Sequence, residues 1–150
     1  MRRLLRQQVN NMFIINCKNY NEISGEKINK LAAIAEKISK KYTIQIALAP
    51  PHHQLASIKK SKLLVFAQHL DDAKVGSTTG YMIPESVKKS KVSGALINHS
   101  EHRISPKEIT NLVKRLKKLK MKTVVCVKNV REAENMQDLT LHTLQLNRQN

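Results

Sequence analysis

The feature that most constrains this chain is an alternation. Short apolar runs rich in β-branched residues recur, and the segments between them carry apolar residues at helical spacing. Phe13-Ile14-Ile15-Asn16-Cys17 is the first run, and it turns polar at its end. Ser24 precedes Gly25-Glu26-Lys27, a capping box with its acid one place early, and Ile28, Leu31, Ile34, Ala35 and Ile38 then follow a helical period to about Lys41. Thr43–Ala49 is strand-like and stops at Pro50-Pro51. A short helix is expected over His53–Lys60 and a third strand over Leu63–Ala67. Asp71–Met82 holds loop chemistry, and Pro84-Glu85 opens a short helix ending near Ser90. Val92–Asn98 is a fourth strand. Ser105-Pro106-Lys107-Glu108 supplies a cap, a first-turn proline and the capping-box acid, followed by Ile109, Leu112, Val113, Leu116 and Leu119 on one face. Thr123–Val127 is a fifth strand, and Val130–Asp138 suits a helix.

Strands of about five residues alternating with helices point to parallel βαβ units, an α/β fold. Their apolar composition suits a sheet covered by helices. In such folds ligands sit at the C-terminal ends of the strands. Three strands here end in polar groups: Asn16-Cys17-Lys18, Gln68-His69 and Asn98-His99-Ser100-Glu101.

Composition narrows the function classes. The 150 residues include 27 Lys+Arg against 11 Asp+Glu, a formal charge of +16, with 3% aromatics. No apolar run approaches the roughly 18 residues of a membrane span. Two cysteines, Cys17 and Cys126, form neither a disulfide framework nor a zinc pattern, and they suit a reducing cytoplasm. The charge suggests a nucleic acid, an anionic surface or an anionic small substrate. By thirds of the chain the Lys/Arg counts are 9, 7 and 11, so no segment concentrates it. Most are lysines, whereas a guanine reader uses Arg and a base-stacking surface uses aromatics. These facts favour a Lys-rich surface with no nucleic-acid partner. The competing reading is a basic βα module binding nucleic acid through Lys59-Lys60-Lys62, Lys88-Lys89-Lys91 and Lys114-Arg115-Lys117-Lys118-Lys120. A non-catalytic half-barrel kept as an interaction partner has no specific residue in its support.

The strand ends carry the chemistry. Lys18 just past a strand can hold a phosphate as a point charge, with Asn16 beside it as donor and acceptor. A solvated loop lysine is the plain alternative. His99 sits where a catalytic group belongs, although a structural hydrogen bond would explain it too. Glu101 and Arg103 could form a surface ion pair of little worth. Together these groups suit proton chemistry on an anionic substrate that bears a carbonyl.

Their order is more specific. Asn16-Cys17-Lys18, Ala67-Gln68-His69, Gly76-Ser77-Thr78-Thr79-Gly80, the stretch 97–103 reading INHSEHR, and Val124-Val125-Cys126 come in sequence at strand ends. From about Met12 to Leu139 the chain resembles the triosephosphate isomerase family, and looks most like its shorter archaeal form. The resemblance implies an incomplete TIM (β/α)8 barrel of about five parallel strands with helices. It implies a glycolytic and gluconeogenic isomerase of the cytoplasm, with no cofactor, no metal and no membrane partner. It assigns Asn16 and Lys18 to the phosphorylated triose, with Lys18 balancing the phosphate and the developing oxyanion. His99 becomes the neutral imidazole that polarises the carbonyl, kept neutral by a helix start at Ser100-Glu101-His102; this enzyme is itself the standard illustration of that effect. Glu101 would position Lys18, Arg103 would pair in the same polar layer, and Cys126 would pack behind the catalytic base. Gly76, Thr78 and Thr79 would lie on a loop reaching into a partner subunit of a homo-oligomer, dimer or tetramer. His102, and Val127-Lys128 after Cys126, have no clear family pattern.

The expected organisation is an extension at 1–11, a partial barrel at 12–139 and an aberrant tail at 140–150. Such barrels run to about 250 residues, and strand 6 with its glutamate, the lid and the later phosphate loops are not legible here. Residues 141–150 do not look like the expected strand. One permitted back-translation of that tail, read two bases later, encodes Thr-Tyr-Ile-Ala-Ile-Glu-Pro-Pro-Glu, which resembles the archaeal strand-6 segment. A single-nucleotide shift near codon 141 is the expectation, and the nucleotide sequence of the locus tests it. Strands 1 and 5 would then be the unpaired edges, and the chain alone would lack the carboxylate base, worth roughly 10²–10⁴-fold.

Overall fold

The computed structural model describes residues 12–58, 61–136 and, as backbone, 143–146. Six strands form one sheet in chain order: β1 (Met12–Asn16), β2 (Gln45–Ala49), β3 (Leu64–Ala67), β4 (Gly94–Ile97), β5 (Lys122–Val127) and β6 (Thr143–Leu146). All neighbouring pairs are parallel. Between them lie α1 (Lys27–Tyr42), α2 (Pro84–Lys89), α3 (Pro106–Lys118) and α4 (Val130–Glu134).

Strand alternation sorts side chains to two layers. Ala47, Ala49, Phe66, Leu96 and Val124 face inward as one cluster. Leu48, Val65, Ala67, Ile97 and Val125 face outward onto the helices. There α1 contributes Ile28, Ala32 and Ala35, and α3 contributes Ile109, Leu112 and Leu116, all buried. Each large aliphatic of α3 gains about 1.5–3 kcal/mol from burial. The helix starts where the sequence says. Ser105 Oγ accepts from Glu108 N, and Glu108 accepts from Ser105 N at 2.9 Å.

Four expectations change. The helix start at Ser24 moves to Lys27, because Gly25 takes a left-handed φ of +62° and interrupts it. The segment expected as a helix over His53–Lys60 is a 3-10 turn, His52–Ser57, following Pro51. The last helix, expected over Val130–Asp138, ends at Glu134 with Asn135 and Met136 in a turn, and 137–138 lie outside the described residues. Finally, five strands become six. Thr143–Leu146 pairs with Val124–Val127 in register, so the sheet edges are β1 and β6 rather than 1 and 5. Residues 1–11 and the rest of the tail fall outside the described residues.

Candidate active site

The parallel sheet brings the C-terminal ends of β1 to β4 to one mouth. A cleft of about 620 Å³ opens there, bordered by Asn16, Lys18, Gln68, His69, His99 and Glu101 among others. Each side chain is set by its local backbone. After β1 the chain turns at Lys18, which takes a φ of +49°. Asn16 Oδ1 stabilises that turn by accepting from Lys18 N at 3.1 Å. Gln68, directly after β3, donates from Nε2 to Lys18 O at 2.9 Å and to Ala49 O at 3.1 Å. One amide thus ties three strand ends together.

After β4 the same device recurs. Asn98 has a φ of +63° and is 1% exposed. Its Nδ2 donates to Cys126 O at 3.0 Å, and its Oδ1 accepts from Ile104 N at 3.1 Å. These bonds pin both ends of the turn that presents His99 and Glu101. His102 N donates to His99 O at 2.8 Å and closes it.

Lys18 and Glu101 meet across this mouth. Lys18 Nζ donates to Glu101 Oε1 at 2.8 Å, though 83 residues separate them. The carboxylate raises the ammonium pKa above its ordinary value, and the ammonium lowers that of Glu101. Glu101 also faces the imidazole: its Oε2 lies 3.5 Å from His99 Nδ1. Glu101 N–H donates to that same nitrogen at 3.3 Å. A nitrogen accepting an N–H carries its lone pair there, so the ring proton of a neutral His99 belongs on Nε2.

Beside it, the rings of His69 and His102 stack with centroids 3.7 Å apart and an 11° interplanar angle. His69 Nε2 lies 3.3 Å from Asp71 Oδ1, and Asp71 Oδ2 accepts from Met82 N at 2.7 Å. Burial, then the neighbouring His102, pushes the His69 pKa below the usual histidine range. His52 is lowered in the same way, by burial and then by His69.

Other sequence-derived candidates sit as follows. Ser100, Glu101 and His102 form a turn, not a helix start; α3 begins later, at Pro106. Arg103 does not pair with Glu101. It donates to Asn98 O at 3.3 Å and pairs with Glu132 of α4. Cys126 is buried on the inward face with Val124, and burial pushes its thiol up to about 11. Gly76, Thr78 and Thr79 lie on an exposed loop whose neck closes between Asp71 and Met82. The sequence marks Gln68 and Asn98 only as strand ends and gives Glu132 no role. A polar residue directly after an apolar strand was the available signal for the first two.

This mouth, with an imidazole and an ammonium both engaged by Glu101 at the ends of β1 and β4, sits on a parallel sheet that matches known proteins. The triosephosphate isomerase family model matches residues 11–149. The chain belongs to the triosephosphate isomerase family. It is 55% identical over 125 residues to a triosephosphate isomerase of Cenarchaeum symbiosum, covering 83% of this chain and 56% of that relative. It is 39% identical over 117 residues to one of Saccharolobus solfataricus, covering 77% and 52%. The crystal structure of triosephosphate isomerase from Bartonella henselae aligns with a TM-score of 0.69 at 21% identity, covering 87% of this chain and 57% of that one. That likeness shows the fold, an incomplete (β/α)8 barrel. The chain spans about half the length of the curated relatives it matches. No described helix is long and apolar enough to cross a membrane.

Proposed function

We propose that this chain carries the electrophilic half of a site that interconverts glyceraldehyde 3-phosphate and dihydroxyacetone phosphate. The observation that supports it most is that Glu101 engages both groups, its carboxylate accepting from Lys18 Nζ at 2.8 Å and its backbone N–H donating to His99 Nδ1 at 3.3 Å, which brings ammonium and imidazole to one mouth. His99, protonated on Nε2, donates to the substrate carbonyl and stabilises the enediolate oxygen as charge develops there. Lys18 opposes the negative charge of the phosphate and the same oxygen, and Asn16 orients the loop that carries it. Glu101 is the positioning residue for Lys18.

Proton abstraction from the substrate carbon needs a carboxylate with room to act. Among the described residues lining the cleft, Glu101 is the only carboxylate, and Lys18 engages it. The 150-residue chain by itself is therefore expected to show negligible isomerase turnover. A chimera joining residues 12–139 to the remaining half of the Cenarchaeum relative supplies the missing groups. It should isomerise in a coupled assay, and Lys18→Met or His99→Gln in it should lower kcat by 10²-fold or more. A folded, inactive chimera beside an active relative would overturn this reading, as would normal turnover by the 150-residue chain. We also propose a cytoplasmic homo-oligomer in which the Gly76–Gly80 loop meets the Asn16 and Lys18 region of a second copy. Sedimentation of the chimera with and without Thr78→Glu tests that contact.

A further inference from the structure

A count along the chain finds the positive charge evenly spread, but the fold does not leave it so. Each αβ turn of a parallel sheet lies at the N-terminal edge of the strands, opposite the mouth. Lys41 ends α1, Lys62 precedes β3, Lys89 and Lys91 precede β4, and Lys118 and Lys120 precede β5. All six are exposed. Lys40 on the same edge pairs with Glu36 at 3.0 Å, but among the described residues these six have no acidic partner. Glu36 aside, the described acidic residues lie in segments that follow strands, in first helical turns or in the short α4, all toward the mouth. The fold therefore converts an even linear distribution into a bipolar one.

Helix dipoles account for only part of this. Each helix C-terminus presents about −0.5 charge, so three helices present about −1.5 at most. Six unpaired lysines far exceed it. Two of them, Lys91 and Lys120, occupy left-handed backbone positions with φ of +62° and +53°, where Gly or Asn is the easier choice. Neither helix capping nor backbone geometry explains a lysine there.

We infer that this strand-N-terminal edge is a docking surface for the phosphodiester backbone of a single-stranded nucleic acid. Lysine is depleted in protein–protein interfaces and used in backbone contacts. A lipid surface would require an apolar face or a lipid anchor alongside the charge; exposed Ile38 and Tyr42 of α1 stand beside Lys41, but none of the large exposed apolar side chains among the described residues neighbours the other five lysines in sequence. Tyr42 at this end is 61% exposed, with Lys41 Nζ 5.2 Å from its ring centroid, and its ring offers one base a stacking face. Lysines without guanidinium forks give binding that ignores sequence. This surface is independent of the isomerase reading, because it lies at the other end of the strands and uses none of the same side chains.

The test is fluorescence anisotropy of a labelled 20-nucleotide oligo(dT) with the whole chain over a salt series. Six contacts give a log–log salt slope of about −4 for a single strand. Lys91→Gln, Lys118→Gln and Lys120→Gln together should weaken binding at least tenfold and flatten the slope by about 2. Lys74→Gln, Lys107→Gln and Lys128→Gln, on the mouth side, remove the same net charge and should change affinity less than about threefold. Circular dichroism checks that both triples fold. Equal losses in the two triples would mean diffuse charge and overturn the proposal. So would the absence of salt-dependent binding at 50 mM salt, or adsorption to phosphatidylserine vesicles without oligonucleotide binding.

Discussion

Gly94 opens β4, the strand that presents His99, and it tests how tightly the inside of this half-barrel is filled. A Cβ built there would lie 2.5 Å from Lys122 O and 2.8 and 2.9 Å from Cε1 and Cζ of Phe66. Lys122 is the register partner of Gly94 on β5, so that oxygen belongs to the ladder and cannot swing aside. Phe66 is fully buried and packs in the inward cluster with Ala47, Ala49, Leu96 and Val124. Overpacking of a filled core costs about 1–3 kcal/mol, and a backbone obstruction places Gly94→Ala near the top, at about 3 kcal/mol. In the unfolded chain the same change would favour folding by about 0.4–1 kcal/mol, so a destabilising result isolates the clash. With a urea m-value of about 2 kcal/mol/M, the unfolding midpoint should fall by about 1.5 M. Adding Phe66→Leu to Gly94→Ala should recover part of the loss but not all, since the Lys122 carbonyl remains. A neutral or stabilising Gly94→Ala would refute the reasoning, because it would mean β4 and β5 have room to separate.

Three further outcomes follow from the same geometry. Asn98→Ala strands Ile104 N and Cys126 O and should cost about 2–4 kcal/mol in chemical denaturation, while Asn98→Gly should cost less because the φ of +63° suits glycine. Ser105→Ala should cost about 1 kcal/mol; Ser105 lowers the pKa of Glu108, so this contribution is present above the unfolded carboxylate pKa and lost as pH falls through the folded one, which unfolding curves of wild type and variant across acid pH would show. The thiols of Cys17 and Cys126, each raised to about 11 by burial, should be about one part in a thousand thiolate at pH 8 and resist iodoacetamide until the chain unfolds; rapid labelling of native protein would contradict their burial.

Much of the fold is legible because its signals are local. Apolar β-branched runs gave β1 to β5, and Ser105-Pro106 with Glu108 fixed the start of α3. The failures have physical causes too. Ser24 has the chemistry of a cap, but Gly25 beside it adopts a left-handed conformation that ends any helix begun there. Thr143–Leu146 has the period-2 alternation of a strand, yet its pairing depends on β5 offering an open edge, which only the assembled sheet reveals. At the site, Lys18, His99 and Asn16 were legible because polar groups end apolar strands. Their partners were not. Glu101 and Arg103 stand two residues apart and suggest a pair, but the turn sends them to Lys18 and Glu132, 83 and 29 residues away. The even count of lysines along the chain likewise does not report which end of the sheet each turn occupies.

The central claim is that His99, with Nδ1 accepting the Glu101 N–H and a proton on Nε2, and the Lys18 ammonium act together on a triose phosphate. The most direct measurement is the imidazole nitrogen-15 spectrum of the histidine-labelled chain at neutral pH while dihydroxyacetone phosphate is added. His99 should show a protonated Nε2 and a bare Nδ1. Its Nε2 signal should move on addition, and that response should vanish in Lys18→Met. A proton on Nδ1, or a His99 signal indifferent to the triose phosphate while the fold is intact, would contradict the account.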